Sequence, residues 1–136
     1  MTRVVVDVGV VISAMIAPRG TPARVFDLWM DGAFDLVISP AWLRELAEVL
    51  DRPRIRERVT PGQASRLIDA IQHAAVVVAD PARDEALTPD PDDDYLVALA
   101  RAARARYLVS GDAHLLGIAD PQPSIITPRQ LIDAIG

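Results

Sequence analysis

Four carboxylates stand where an α/β chain could gather them: Asp7, Glu45, Asp93 and Asp112. Asp7 follows the β-branched run Val4-Val5-Val6, and Asp112 follows the strand-like run Tyr107-Leu108-Val109. Glu45 lies within one helical stretch and Asp93 opens another. Carboxylates packed a few ångströms apart repel and resist ionisation, and a divalent cation removes that conflict. Hard oxygen donors select Mg²⁺ or Mn²⁺, with waters completing an octahedron. Such an ion acidifies a bound water and stabilises the attacking and leaving oxygens of an in-line phosphoryl displacement. Other chemistries lack their parts. There is no cysteine, and His73 and His114 cannot build a zinc site by themselves. No serine has a motif base partner, and neither a Gly-rich phosphate loop nor a GxSxG elbow occurs.

The elements that must position these acids are legible as patterns. Within PDDDYLVALARAARARYLVSGD (91–112), Asp93, Leu96, Val97 and Ala100 recur at helical spacing. A helix start also favours an anion. Val4 to Val6 reads as a central parallel strand buried on both faces, with Asp7 at the carboxyl end where open α/β sheets bind ligands. Taken alone, Asp7 reads as a helix cap or turn residue. Thr21-Pro22 predicts a cap and first helical residue, Val25, Phe26, Leu28, Trp29 and Met30 a core face, and Gly32 a stop. Phe34 to Ile38 is a second strand. Ser39-Pro40 begins a helix that runs to about Asp51, with Leu43, Leu46, Ala47 and Leu50 as its buried stripe. Glu45 flanks that stripe in line with Trp42 and Val49, whereas Glu48 shares an ion-paired face with Arg44 and Arg52.

Arg52, Arg54, Arg56 and Arg58 alternate through RPRIRER, the densest positive stretch and a candidate for phosphate contact through Arg52, Arg54 and Arg56. Thr60-Pro61 starts another helix, Ala75 to Ala79 is a third strand, and residues 80–90 form a proline-bearing loop leading to the acid cluster. Leu115 and Leu116 read as a short helical turn, Ser124 to Thr127 as a last strand, and Pro128 to Ile135 as a closing helix. The resulting order β, α, β, α, α, β, α, β, β, α predicts an α/β fold, a parallel sheet with helices on both faces.

Composition sets the outer bounds. A chain of 136 residues, 51% hydrophobic, suits one ordinary domain with a real core. No apolar run approaches the ~20 residues of a membrane span, and the start lacks a signal-peptide pattern, so the expected location is cytoplasmic with no membrane contact. The net charge of −5 argues against a general nucleic-acid coat but leaves room for a local basic patch. All 14 basic residues are arginine, which forks onto phosphate.

On these residues the chain resembles the PIN-domain family, in particular its VapC-like toxins of toxin–antitoxin pairs. The resemblance runs through VVVDVGVVISA, SPAWLRELAEVL, DPDDDYLVALARAARARYLVSGD and IITPRQLI. It implies a single PIN domain over residues 1–136 with sheet order 3-2-1-4-5. It also implies a Mg²⁺- or Mn²⁺-dependent endoribonuclease that leaves 5′-phosphate and 3′-hydroxyl ends. The family's acids fall on Asp7, Glu45, Asp93 and Asp112, with Asp7, Asp93 and Asp112 as metal ligands. Asp94 adjoins Asp93 as an alternative register, and Ser110 matches the small hydroxyl residue before the last acid. A cognate antitoxin and a homodimer are the implied partners.

One departure stands out. Where many members read Asp-Thr-Asn, this chain reads Asp7-Val8-Gly9. Losing such supporting polar groups typically costs 10- to 100-fold in metal affinity or activity. Gly9 is then expected to allow close backbone approach, and Ser13 is a substitute polar group. A second reading follows, a catalytically weakened PIN module that binds RNA or a protein partner. A third, a receiver-type phosphoacceptor domain, also has aspartates at strand ends but is expected to need a lysine, which this chain lacks.

Overall fold

The computed structural model describes residues 1–82, 91–119 and 121–136; the side chains of residues 91–94 lie outside that description. Its centre is strand β1 (Arg3–Val6), in which Val4 and Val5 are fully buried. Helices α1 (Val8–Ile16) and α2 (Thr21–Met30) lead to β2 (Asp35–Ile38). Helices α3 (Pro40–Leu50), α4 (Pro53–Arg56) and α5 (Pro61–Ala74) lead to β3 (Val76–Val77). Then come α6 (Pro91–Ala102), β4 (Tyr107–Val109), α7 (Ala113–Leu116), β5 (Ser124–Ile126) and α8 (Pro128–Ile135).

The five strands form one sheet of order β3-β2-β1-β4-β5, and every pairing is parallel. The fold is thus α/β, with the strand order that the sequence resemblance implied. The order runs leftward from β1 to β3 and then restarts at β4 on the other side of β1. Parallel crossovers are right-handed, so reversing their direction moves the helices from one face to the other. Helices α1 to α5 accordingly serve one face, while α6 lies against β1 and β4 on the other. The gap between the carboxyl ends of β1 and β4 is the reversal point, where open α/β sheets bind ligands.

Helix α1 is absent from the sequence reading. Its residues VGVVISAMI are β-branched and apolar on nearly every side, so no 3.6-residue stripe marks them. Tertiary burial of Val8, Val10, Val11 and Ile12, with Asp7 as N-cap, overrides that local preference. Smaller shifts have local causes. Gly20 caps α2, so Thr21 belongs to the first turn. Met30 is 64% exposed, on the solvent side of α2. The buried stripe of α3 is Trp42, Leu46 and Leu50, whereas Ala47 is exposed. Pro53 starts a helical turn, so RPRIRER does not alternate as a strand would. Thr127 caps α8 rather than ending β5. The predicted loop of residues 80–90 lies mostly outside the described residues.

Capping places the helices. Thr60 and Thr127 each form a reciprocal capping box, with Gln63 and Gln130 respectively. Thr60→Ala removes the acceptor of the Gln63 N–H bond. The expected loss is about 1 kcal/mol of unfolding free energy. Urea denaturation should show it as a lower midpoint with an unchanged slope.

Candidate active site

Asp7 sits where β1 gives way to α1, and its backbone N–H donates to the Val109 carbonyl of β4 at 2.8 Å. This bond extends the β1–β4 ladder past the last strand residue and fixes Asp7 beside the end of β4. Its Oδ1 accepts the Gly9 N–H at 3.2 Å, so the carboxylate caps α1. Its Oδ2 accepts the Ser110 hydroxyl at 2.8 Å. Ser110 is fully buried, and its Oγ also accepts the Asp112 N–H at 3.0 Å. One hydroxyl, used as donor and acceptor at once, therefore ties the Asp7 side chain to the backbone of Asp112. Asp112 caps the short α7 through Oδ1, which accepts the His114 N–H at 2.8 Å.

Both carboxylates line one cleft of about 420 Å³, together with Gly9, Ser13 and Gly111. The Val8-Gly9 departure has a plain shape here. Val8 is 1% exposed and packs into the core. A Cβ added at Gly9 would meet only Asp7 Oδ1, at 3.9 Å, an ordinary contact. No close backbone approach demands glycine there; the residue simply leaves room above Asp7.

Glu45 lies half-buried in α3, and its Oε2 accepts the Tyr95 hydroxyl of α6 at 2.7 Å. Helices serving opposite faces of the sheet thus meet across its carboxyl edge. Trp42, nearly one turn earlier in α3, is fully buried and donates its indole Nε1–H to the Val6 carbonyl at 2.7 Å. That bond pins the helix carrying Glu45 to the strand end carrying Asp7. Sequence reasoning missed both positioning groups. Trp42 had a visible signal, its alignment with Glu45 three residues on; Tyr95 had none.

Asp93 and Asp94 stand in the first turn of α6, and their side chains lie outside the described residues. Among the described residues, no three side chains of aspartate, glutamate, histidine or cysteine come together closely enough to hold a metal ion. Two acids of the predicted set, Asp7 and Asp112, share a cleft, while Glu45 is joined to α6 instead. The donors present at the cleft suit a hard cation. They are carboxylate oxygens with unused lone pairs, oriented by a hydroxyl and backbone N–H groups, with no sulfur among them. Arg52, Arg54 and Arg56 lie beyond the far end of α3, outside the lining of this cleft. Arg56 pairs with Asp51 at 2.7 Å on the surface.

Ser110→Ala removes the donor to Asp7 and the acceptor for the Asp112 N–H together. The expected loss is about 1–3 kcal/mol of stability and roughly 10- to 100-fold in metal affinity. Ser110→Thr should retain most of both. Thermal unfolding and Mn²⁺ titration of the two variants check this pair.

A family model described as PIN domain matches residues 3–114. The chain belongs to the PIN-domain family, whose members are generally nucleases that use divalent metals. It is 26% identical over 141 aligned residues to the uncharacterized protein MJ1680 of Methanocaldococcus jannaschii, a match covering 96% of this chain and 90% of that protein. Among solved structures it is similar to PAE2754 from Pyrobaculum aerophilum, with a TM-score of 0.69 at 19% identity. That likeness, over 98% of this chain and 89% of the other, is one of fold. Among the described residues, no helix is long and apolar enough to cross a membrane.

Proposed function

We propose that this protein is a Mg²⁺- or Mn²⁺-dependent endoribonuclease acting in the cytoplasm as the VapC-like toxin of a toxin–antitoxin pair. One observation carries the reading. The buried Ser110 hydroxyl joins Asp7 to Asp112 at the reversal point of the sheet, and both acids line one cleft. Asp7, Asp112 and, from the first turn of α6, Asp93 would hold the ion, with Asp94 as the alternative to Asp93. When bound, the ion supplies an acidified water and neutralises charge on the phosphoryl oxygens.

The chain's own residues do the rest. Ser110 and the Gly9 N–H hold the Asp7 carboxylate in one orientation, and the His114 N–H does the same for Asp112. Glu45, positioned by the Tyr95 hydroxyl that donates to its Oε2, would be the general base of the family's acid set. Arg52, Arg54 and Arg56 would meet only an RNA long enough to extend along α3. A cognate antitoxin that covers the cleft, and a homodimer of the toxin, complete the proposal.

The second reading, a weakened PIN module that binds RNA or a protein partner, is favoured by one feature. Val8 is buried and Gly9 has no side chain, so neither supplies the polar support that the Thr-Asn of many members would give at these positions. Incubation of single-stranded RNA with Mn²⁺ separates the two. The nuclease reading expects products with 5′-phosphate ends, abolished by EDTA and by Asp112→Asn. Cleavage that survives both controls contradicts it. RNA bound without cleavage, whatever the divalent ion, supports the second reading.

A further inference from the structure

The cleft extends well beyond the two acids, and its far part has a different character. Its walls there are Val10, the ring of Pro22 at the start of α2 and the ring of Pro128 at the start of α8, facing the bare backbone of Gly9 and Gly111. Helix α8 packs against α2, which brings the two prolines to one mouth. Ser13 supplies the polar side chain of this part, and it is exposed. It lies six positions after Asp7, about 9 Å along the axis of α1. Ser13 thus stands more than one and a half turns beyond the Asp7 cap, on the wall of the cleft next to the acids.

We propose that this part of the cleft is a nucleotide subsite for single-stranded RNA. The proline and valine walls pack against the sugar and base next to the scissile phosphate, and the Ser13 hydroxyl hydrogen-bonds the sugar–phosphate. The inference rests on the nuclease reading for its substrate class. The occupant follows from continuity. A strand whose phosphate sits at Asp7 and Asp112 has this part beside it, because acids and walls line one continuous cleft of about 420 Å³, a volume in the range of small-molecule sites. A duplex does not fit a channel of that size, whereas one unstacked nucleotide does. Among the described residues, Asp7 and Asp112 are the charged side chains that line the cleft, so recognition by the walls around Ser13 depends on shape and hydrogen bonding.

Fluorescence anisotropy with a labelled single-stranded oligoribonucleotide tests this in Ca²⁺ and in EDTA, without needing cleavage. Ser13→Ala is expected to weaken binding about three- to tenfold, the worth of one hydrogen bond. Ser13→Thr should restore it, and Mn²⁺ affinity should not change in either variant. Gly9→Val, which fills the space above Asp7, should weaken RNA binding further while the protein remains folded by circular dichroism. Equal affinities for wild type, Ser13→Ala and Gly9→Val overturn the subsite, as does a wild type that binds no RNA. RNA that is bound with this Ser13 dependence yet never cut contradicts the nuclease reading and leaves the subsite standing.

Discussion

Asp7→Asn is expected to lower RNA cleavage in saturating Mn²⁺ by at least about a hundredfold while leaving the fold intact. The amide has nearly the shape of the carboxylate. Its oxygen can still accept the Gly9 N–H, so the cap of α1 survives. Its NH₂ can donate to Ser110 Oγ, which has a second lone pair beside the one that receives the Asp112 N–H. What the substitution removes is the charge. Asp7 and Asp112 then no longer present two anionic groups to one ion, and the remaining amide oxygen is a weaker hard donor. Thermal unfolding should shift by less than about 4 °C, equivalent to under about 1 kcal/mol for a domain of this size. Steady-state cleavage assays with both proteins folded separate this loss of chemistry from a loss of structure.

Trp42→Ala is expected to be among the most destabilising single changes in the chain, at about 3–5 kcal/mol. Trp42 is fully buried, and it lies in the core between α3 and the sheet. Domains are typically stable by only 5–15 kcal/mol, so a large share of the total is at stake. Trp42→Phe separates packing from hydrogen bonding. It keeps an aromatic ring in the core but leaves the Val6 carbonyl without the indole donor, at a cost of about 1–3 kcal/mol. Because that bond holds α3 to the strand end that carries Asp7, the phenylalanine variant should also lose activity at temperatures where it is fully folded. Urea denaturation gives the stabilities, and cleavage well below the midpoint gives the activity. Full activity in a stably folded Trp42→Phe would show that the bond matters to the core and not to the site.

Much of the fold was legible because burial and local chemistry agree in it. The valine run of β1, the Ser39-Pro40 and Thr60-Pro61 starts, and the stripe of Leu96, Val97 and Ala100 on α6 each say the same thing at both levels. Helix α1 was not legible because they disagree there. Its β-branched residues favour a strand, and only their burial in the core, with α1 packed on α2 and α3 after the Asp7 cap, makes them a helix. The same disagreement gives Asp7 two roles. The bland reading of a helix cap and the functional reading of a site carboxylate both describe it, since a capping oxygen keeps a second lone pair.

At the site, the proximity of Asp7 and Asp112 was legible from topology, because strand ends either side of a reversal point must adjoin. Their connection through Ser110 was only partly so: resemblance singled out the hydroxyl, but its two bonds depend on the exact turn after β4. The Glu45–Tyr95 bond was not legible at all. It joins helices on opposite faces, fifty positions apart, and no spacing rule connects them. The candidate acids Asp93 and Asp94 have side chains outside the described residues, so their part rests on the sequence resemblance.

Calorimetric titration of Mn²⁺ into the wild type, Asp7→Asn and Asp112→Asn measures the claim on which the mechanism rests. The account predicts one saturable site in the wild type, weakened at least about tenfold in each variant, with all three proteins folded. Equal Mn²⁺ affinity in the three would show that these two carboxylates, though held together by Ser110, do not form the metal site.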